Sequence, residues 1–192
     1  MAQIEVSISV SLDGVMQSPA RPDEDTRGGF TRGGWAVPYA DPAMWEDMGR
    51  AGSILLGRRT YEDFYDVWPE RTDNPFTPVL NAAQKYVASR TLEEPLPWEN
   101  STLLGRDVPA AIDELKEKNE KDIVILGSGE LVRSLIPTGL IDRYVLLIHP
   151  LVLGTGQRLF VDGGPAADLV LRSCRTTATG VMIATFATAP RG

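Results

Sequence analysis

One cysteine and one histidine occur in 192 residues. Cys174 alone excludes an internal disulfide and suits a reducing compartment. A lone histidine and a lone cysteine cannot build a Cys/His zinc site, so no metal is expected. Basic charge is also scarce: 19 Lys and Arg against 26 Asp and Glu leave a net charge of −7. Nucleic-acid surfaces need a basic face, so nucleic acid is not an expected partner. No apolar run approaches the ~20 residues of a membrane-spanning helix. The first residues, Met1 to Ser7, show no charged-then-apolar leader. The expectation is a cytoplasmic protein with no membrane partner.

What is present is an ordinary globular balance, 43% hydrophobic, in a chain long enough for one sizeable core. No repeat of fixed period appears, and no linker separates two cores, so residues 1–192 read as a single domain. Ile4, Val6, Ile8, Val10 and Leu12 alternate with polar residues, which predicts a strand. Ser53–Leu56, Lys85–Ala88, Ser101–Leu104, Ile123–Leu126 and Ile141–Ile148 are further short apolar runs. Helices are expected from Asp41-Pro42 through about Arg50, from Arg58, from Asp107 to about Asn119, and from Glu130 to Ile136. Residues 65–80, with three prolines, read as irregular. Leu169–Thr176 and Val181–Thr188, joined at Gly180, predict a terminal hairpin. Strands alternate with helices and then end in strands. This predicts an α/β fold, a mostly parallel mixed sheet with an antiparallel edge.

The stretch Ile123-Val-Ile-Leu-Gly-Ser-Gly-Glu-Leu131 organises the rest. A strand runs into Gly127-Ser128-Gly129 and then a helix begins at Glu130 and Leu131. Such a turn aims backbone N–H groups and the positive helix end at one spot, which suits a phosphate; it is equally the form of a plain strand-to-helix turn. The dinucleotide pattern G-x-G-x-x-G is not completed, because Val132 stands at its third glycine. Two other strand ends carry similar chemistry. Gly57 is followed by Arg58, Arg59 and Thr60, and Ala88 by Ser89 and Arg90. Ligands of open α/β sheets sit beyond the carboxyl ends of the parallel strands. Arginine forks match phosphate geometry. Three such ends fit a pyrophosphate plus a separate 2′-phosphate, hence NADPH.

Further segments support a resemblance. They are Ser11-Leu-Asp-Gly14, Leu55-Leu-Gly-Arg-Arg-Thr-Tyr-Glu62, Lys85-Tyr-Val-Ala-Ser-Arg-Thr-Leu92, Gly127-Ser-Gly-Glu-Leu131, Leu140-Ile-Asp142 and Pro150-Leu-Val-Leu-Gly-Thr-Gly156. In this order the chain resembles the dihydrofolate reductase-like superfamily. More narrowly, it is similar to the reductase domain of the riboflavin-biosynthesis deaminase-reductase and its free-standing relatives. The resemblance implies a three-layer fold, a central mixed sheet flanked by helices, and often a homodimer. It implies an NADPH-dependent reductase of a small heterocycle, a ribosylaminopyrimidine such as 5-amino-6-(5-phosphoribosylamino)uracil or a pteridine. The alternative is an NADPH-binding dimeric protein without turnover. The zinc motif of the fused deaminase is absent.

On this reading Arg58, Arg59, Ser89 and Arg90 hold the 2′-phosphate, while Thr60 and the turn from Gly127 to Leu131 hold the pyrophosphate. Gly14 and Gly57 belong to the same cofactor edge. Asp13 or Asp41 is the catalytic candidate, orienting substrate or relaying a proton; each also reads as local structure, an Asp-Gly turn and a helix N-cap. His149, before Pro150 at a strand end, reads as structural. Residues 18–40 form a long loop without apolar period, of the kind that is usually functional or disordered. Its Trp35 and Tyr39, with Trp45 beyond it, are the substrate-binding candidates.

Overall fold

A computed structural model describes residues 1–46 and 51–189. Eight strands form one sheet: β1 (Ile4–Ser11), β2 (Ser53–Gly57), β3 (Gln84–Ala88), β4 (Ser101–Leu103), β5 (Ile123–Leu126), β6 (Arg143–His149), β7 (Leu169–Thr176) and β8 (Met182–Thr188). Their order is β4-β3-β2-β5-β1-β6-β8-β7. The first six in that order are parallel neighbours, and β8 and β7 run antiparallel at the edge. The expected mixed sheet and terminal hairpin are therefore present.

Among the described residues four α-helices flank it: α1 (Arg58–Val67), α2 (Thr77–Ala82), α3 (Val108–Lys118) and α4 (Gly129–Leu135). One face of the sheet carries Ile4, Val6, Ile8, Val10, Ile123 and Ile125 against Ile112 of α3 and Leu131, Val132 and Leu135 of α4. The other carries Ile54, Leu56, Val87, Val124 and Leu126 against Tyr61 of α1 and Leu80 of α2. Each of these large apolar side chains, taken out of water, contributes ~1.5–3 kcal/mol. Asp107 caps α3 by accepting the Ala110 N–H at 3.2 Å, with Pro109 in the first turn.

Two expectations change. Residues 65–80 are not irregular throughout: α2 begins at Thr77, and Pro78 lies in its first turn, where a missing N–H costs nothing. The helix expected from Asp41 is observed as a 3-10 turn, Pro42–Met44. Its continuation through Met48 and Arg50 falls on residues outside the described ones.

Residues 17–46 form a strap that meets the end of β6 at His149 and then runs onto the sheet face carrying Val145 and Leu147. Its own core is Val15, Phe30, Trp35 and Leu153. Farther along, Met44 packs with Leu147, Val181 and Ile183. Gln17 is its hub: the amide donates to the carbonyls of Asp25 (3.1 Å) and Arg27 (2.9 Å) and accepts the Gln157 N–H (3.0 Å).

Candidate cofactor and substrate edge

The strand order puts the ends of β4, β3, β2 and β5 side by side. Gly57 of β2 is in register with Ala88 of β3, so Arg58 and Ser89 follow neighbouring strand ends. At the next junction the Gly57 N–H donates to Ser128 Oγ at 2.9 Å, which ties the ends of β2 and β5 together. Gly127 has φ 54 and Ser128 has φ 50, both left-handed. Glycine takes that conformation freely, and for serine it is a strained exception. The Ser128 hydroxyl accepts from Gly57 and keeps its own proton to give. A side chain on Gly127 would meet the Thr60 methyl at 3.6 Å, so Thr60 backs this turn.

The cations differ in how they are held. Arg58 reaches Glu62 on its own helix at 3.5 Å. Arg59 Nη1 donates to both carboxylate oxygens of Glu130 at 2.9 Å. Arg90 is exposed and has no hydrogen bond or ion pair among the described residues. Ser89 Oγ accepts the N–H groups of Thr91 (3.1 Å) and Leu92 (3.0 Å), again with its proton free. Leu131 is buried, so only its backbone belongs to the turn.

Sequence reasoning missed a fourth strand end. β4 stops at Leu103, and Gly105-Arg106 follow before α3, with Arg106 exposed. The signal was there: Leu104-Gly105-Arg106 repeats Leu56-Gly57-Arg58. Arg27 was missed too. It comes from the strap, donates to Glu130 and is gripped by Asp25, with Nε 2.8 Å from Oδ1.

The candidate catalytic carboxylates are both committed to backbone. Asp13 Oδ1 accepts the Ser11 hydroxyl (2.6 Å) and the Leu153 N–H (3.0 Å), and Oδ2 accepts the Gly154 N–H (2.8 Å). Burial pulls its pKa upward, but the Ser11 hydroxyl and the two N–H groups outweigh it and hold it at about 2. At neutral pH it has no proton to relay. Gly14 beside it, at φ 77, makes the turn. Asp41 Oδ1 accepts the Ala43 N–H at 2.9 Å, the N-cap bond, and Oδ2 accepts the Ala178 N–H at 3.1 Å from the β7–β8 turn. Asp13 thus clasps the 151–156 loop, and Asp41 pins the strap to the hairpin.

The aromatic candidates separate. Trp35 and Tyr39 come together around His149, at ring-centroid distances of 5.1 and 5.7 Å. Trp35 is buried, and its indole N–H donates to the Gln17 carbonyl at 2.7 Å. Trp45 lies elsewhere, 5.8 Å from the Phe76 ring. His149 is fully buried with Nε2 3.2 Å from Ser9 Oγ, and burial pushes its pKa down to about 4. A cavity beside Met44, bordered by Glu5, Ser7 and Val145, holds about 30 Å³, room for a water and not a heterocycle. No cluster of His, Cys, Asp and Glu among the described residues could hold a metal. No described helix is long and apolar enough to cross a membrane.

A sheet of this order, parallel from β4 to β6 with an antiparallel pair at one edge and glycine–arginine junctions at its strand ends, defines an α/β class. The chain belongs to the RibD C-terminal domain family, which it matches over residues 2–183. It is 29% identical over 154 residues to the uncharacterized protein YyaP of Bacillus subtilis, covering 77% of this chain and 80% of that one. A protein of Shewanella sp. PV-4, provisionally assigned to riboflavin biosynthesis, shares the fold at a TM-score of 0.71 and 21% identity, over 98% of this chain and 99% of that one. A pyrimidine reductase-like protein of Corynebacterium diphtheriae does so at 0.69 and 15%, over 99% and 93%.

Proposed function

We propose that the chain is an NADPH-dependent reductase of a small heterocyclic substrate, of the ribosylaminopyrimidine or pteridine kind. The observation that carries this is the row of adjacent strand ends bearing Arg106, Ser89 with Arg90, Arg58 to Thr60, and the Gly127–Ser128–Gly129 turn. Family membership and the reductase-like neighbours support the same reaction class.

The donor set fits the cofactor. Arg58, Ser89, Arg90 and Arg106 would hold the 2′-phosphate. Arg59, expected from sequence at the 2′-phosphate, is drawn by Glu130 to the α4 turn; with Thr60 and the turn from Gly127 to Leu131 it would hold the pyrophosphate, with the Ser128 hydroxyl as a further donor. Bound there, NADPH supplies the hydride. Asp13 and Ser11 would fix the loop beside the reacting ends, and His149 under Trp35 would close the substrate end from water.

The experiment is NADPH oxidation at 340 nm against ribosylaminopyrimidines and dihydropterins. Turnover on one class identifies it. Tight NADPH binding without oxidation of any supports the second reading, a cofactor-binding protein without turnover. The engagement of both candidate carboxylates by backbone N–H groups favours that reading.

A second copy of the chain is the proposed partner. Six of the eight β7 residues are exposed, on an edge strand that includes Val170 and Leu171. Such an edge invites pairing. Leu171→Asp would convert a dimer to a monomer in sedimentation if β7 is the contact.

A further inference from the structure

We propose that Glu130 is a built-in stand-in for a cofactor phosphate: its carboxylate occupies Arg59 and Arg27 until a dinucleotide phosphate displaces it, and Arg27 then ties the strap to the cofactor instead of to α4. This rests on the cofactor reading above.

The geometry is a carboxylate between two guanidinium groups. Arg59 arrives from the β2–α1 junction and places Nη1 2.9 Å from both Glu130 oxygens. Arg27 arrives from the strap, 103 residues away in sequence, and donates to Glu130 Oε1. Glu130 itself follows Gly129 in the first turn of α4, the same turn that Ser128 ties to β2. A carboxylate and a phosphate offer a guanidinium the same paired acceptors, and the phosphate brings more charge. The Arg27 and Arg59 charges keep Glu130 ionised, with its pKa below the usual carboxylate range, the Arg27 hydrogen bond contributing most.

Exposure decides whether the carboxylate can be exchanged. The side chains of Arg59, Glu130 and Arg27 are 51%, 52% and 37% exposed. Pairs this wet are screened and weak, so a competing anion can replace one partner. Arg27 keeps its second partner, Asp25, throughout, and Gln17 fixes the Arg27 carbonyl. The guanidinium is therefore held in place for the incoming phosphate. The same strap carries Trp35 onto His149, so one segment joins the Arg27 contact to the end of β6.

The test uses the full chain with Glu130→Gln and Arg27→Ala, NADPH titration calorimetry, and tryptic cleavage at the exposed Arg32 in the strap. Glu130→Gln should bind NADPH several-fold more tightly than wild type. Its strap should be cut faster than wild type without NADPH and be protected again with it. Arg27→Ala should bind NADPH about tenfold more weakly, although no strand-end motif includes it. Equal or weaker NADPH binding by Glu130→Gln overturns the proposal, because Glu130 would then only align the arginines. Unchanged binding by Arg27→Ala overturns it as well. If wild type binds NADPH and either result appears, the proposal alone fails. If wild type binds no NADPH, the cofactor reading fails and takes the proposal with it.

Discussion

Trp35 stands edge-on to His149, with ring centroids 5.1 Å apart and an interplanar angle of 89°. The imidazole is fully buried there, and its Nδ1 has no hydrogen-bond partner among the described residues. Ser9 offers one polar contact, and Tyr39 covers another side. Nothing in this box compensates a second proton, so the neutral ring is the one that fits.

That relationship sets an acid limit on stability. The folded pKa of His149, about 4, lies below its ordinary 6.5 because of burial. Between those values the unfolded chain takes up a proton that the folded chain refuses. The contribution is therefore complete above pH 6.5 and is lost as pH falls towards 4. From pH 7 to pH 5 the loss from this group is about 1–2 kcal/mol. Urea unfolding at both pH values measures it. His149→Leu should flatten that difference, and an unchanged slope in the variant would assign the acid sensitivity to other groups.

Lys85 poses the opposite problem, a buried cation. Its ammonium donates to the carbonyls of Leu80 (2.9 Å), Asn81 (3.3 Å) and Ala83 (2.8 Å), closing the carboxyl end of α2, and lies 4.6 Å from the Trp98 ring centroid. Lys85→Met keeps the stem and removes the donors. It should cost ~2–3 kcal/mol in chemical denaturation, because buried carbonyls lose charge-assisted bonds. A loss under about 0.5 kcal/mol would show that water replaces the ammonium at no cost.

At the cofactor edge, Arg90 and Arg106 are exposed, and neither has a hydrogen bond or ion pair among the described residues. Arg90→Ala and Arg106→Ala should each weaken NADPH binding about tenfold, leave NADH binding nearly unchanged and leave Tm unmoved. Parallel titrations of the two cofactors check this. Equal losses for NADH and NADPH would move the arginine away from the 2′-phosphate.

Asp13 can be tested for clasp against catalyst. Asp13→Ala leaves the Leu153 and Gly154 N–H groups without their acceptor and should cost ~1–3 kcal/mol of stability. If Asp13 is a clasp, kcat of the remaining folded enzyme keeps its pH profile. A changed profile at unchanged stability would make Asp13 the proton-handling group.

Local pattern made much of this fold legible. The alternation from Ile4 to Val10 names a strand with one apolar face, and the run Ile123–Leu126 names one apolar on both faces. The strand-end motifs follow from short contiguous sequence, and the sheet brings them side by side. What stayed hidden depends on distance or on context. Pro78 reads as a breaker until Leu80 is seen to dock under it in α2. Trp35 looks like pocket lining until Val15, Phe30 and Leu153 close around it. The meeting of Arg27 with Glu130 joins segments 103 residues apart, and no periodicity announces it.

Gly129 gives the last prediction, and it involves Met16. A Cβ at Gly129 would lie 2.0 Å from Met16 Sδ and 2.4 Å from Met16 Cε. Position 129 is thus crowded by a neighbouring side chain that packs in the core with Leu131. A Cβ there would point inward, towards Met16. Gly129→Ala should push the thioether out of its place. The cost is modest, about 1 kcal/mol, since the colliding atoms end a flexible chain. In a Met16→Ala background the same substitution meets no thioether. Alanine also favours the helical backbone that Gly129 already adopts, so there it should be neutral or stabilising. A double-mutant cycle by urea unfolding reads the coupling directly. Additive effects of the two substitutions would mean that Met16 does not confine position 129. A Gly129→Ala chain that loses NADPH binding without losing stability would show that the added methyl meets the phosphate rather than Met16.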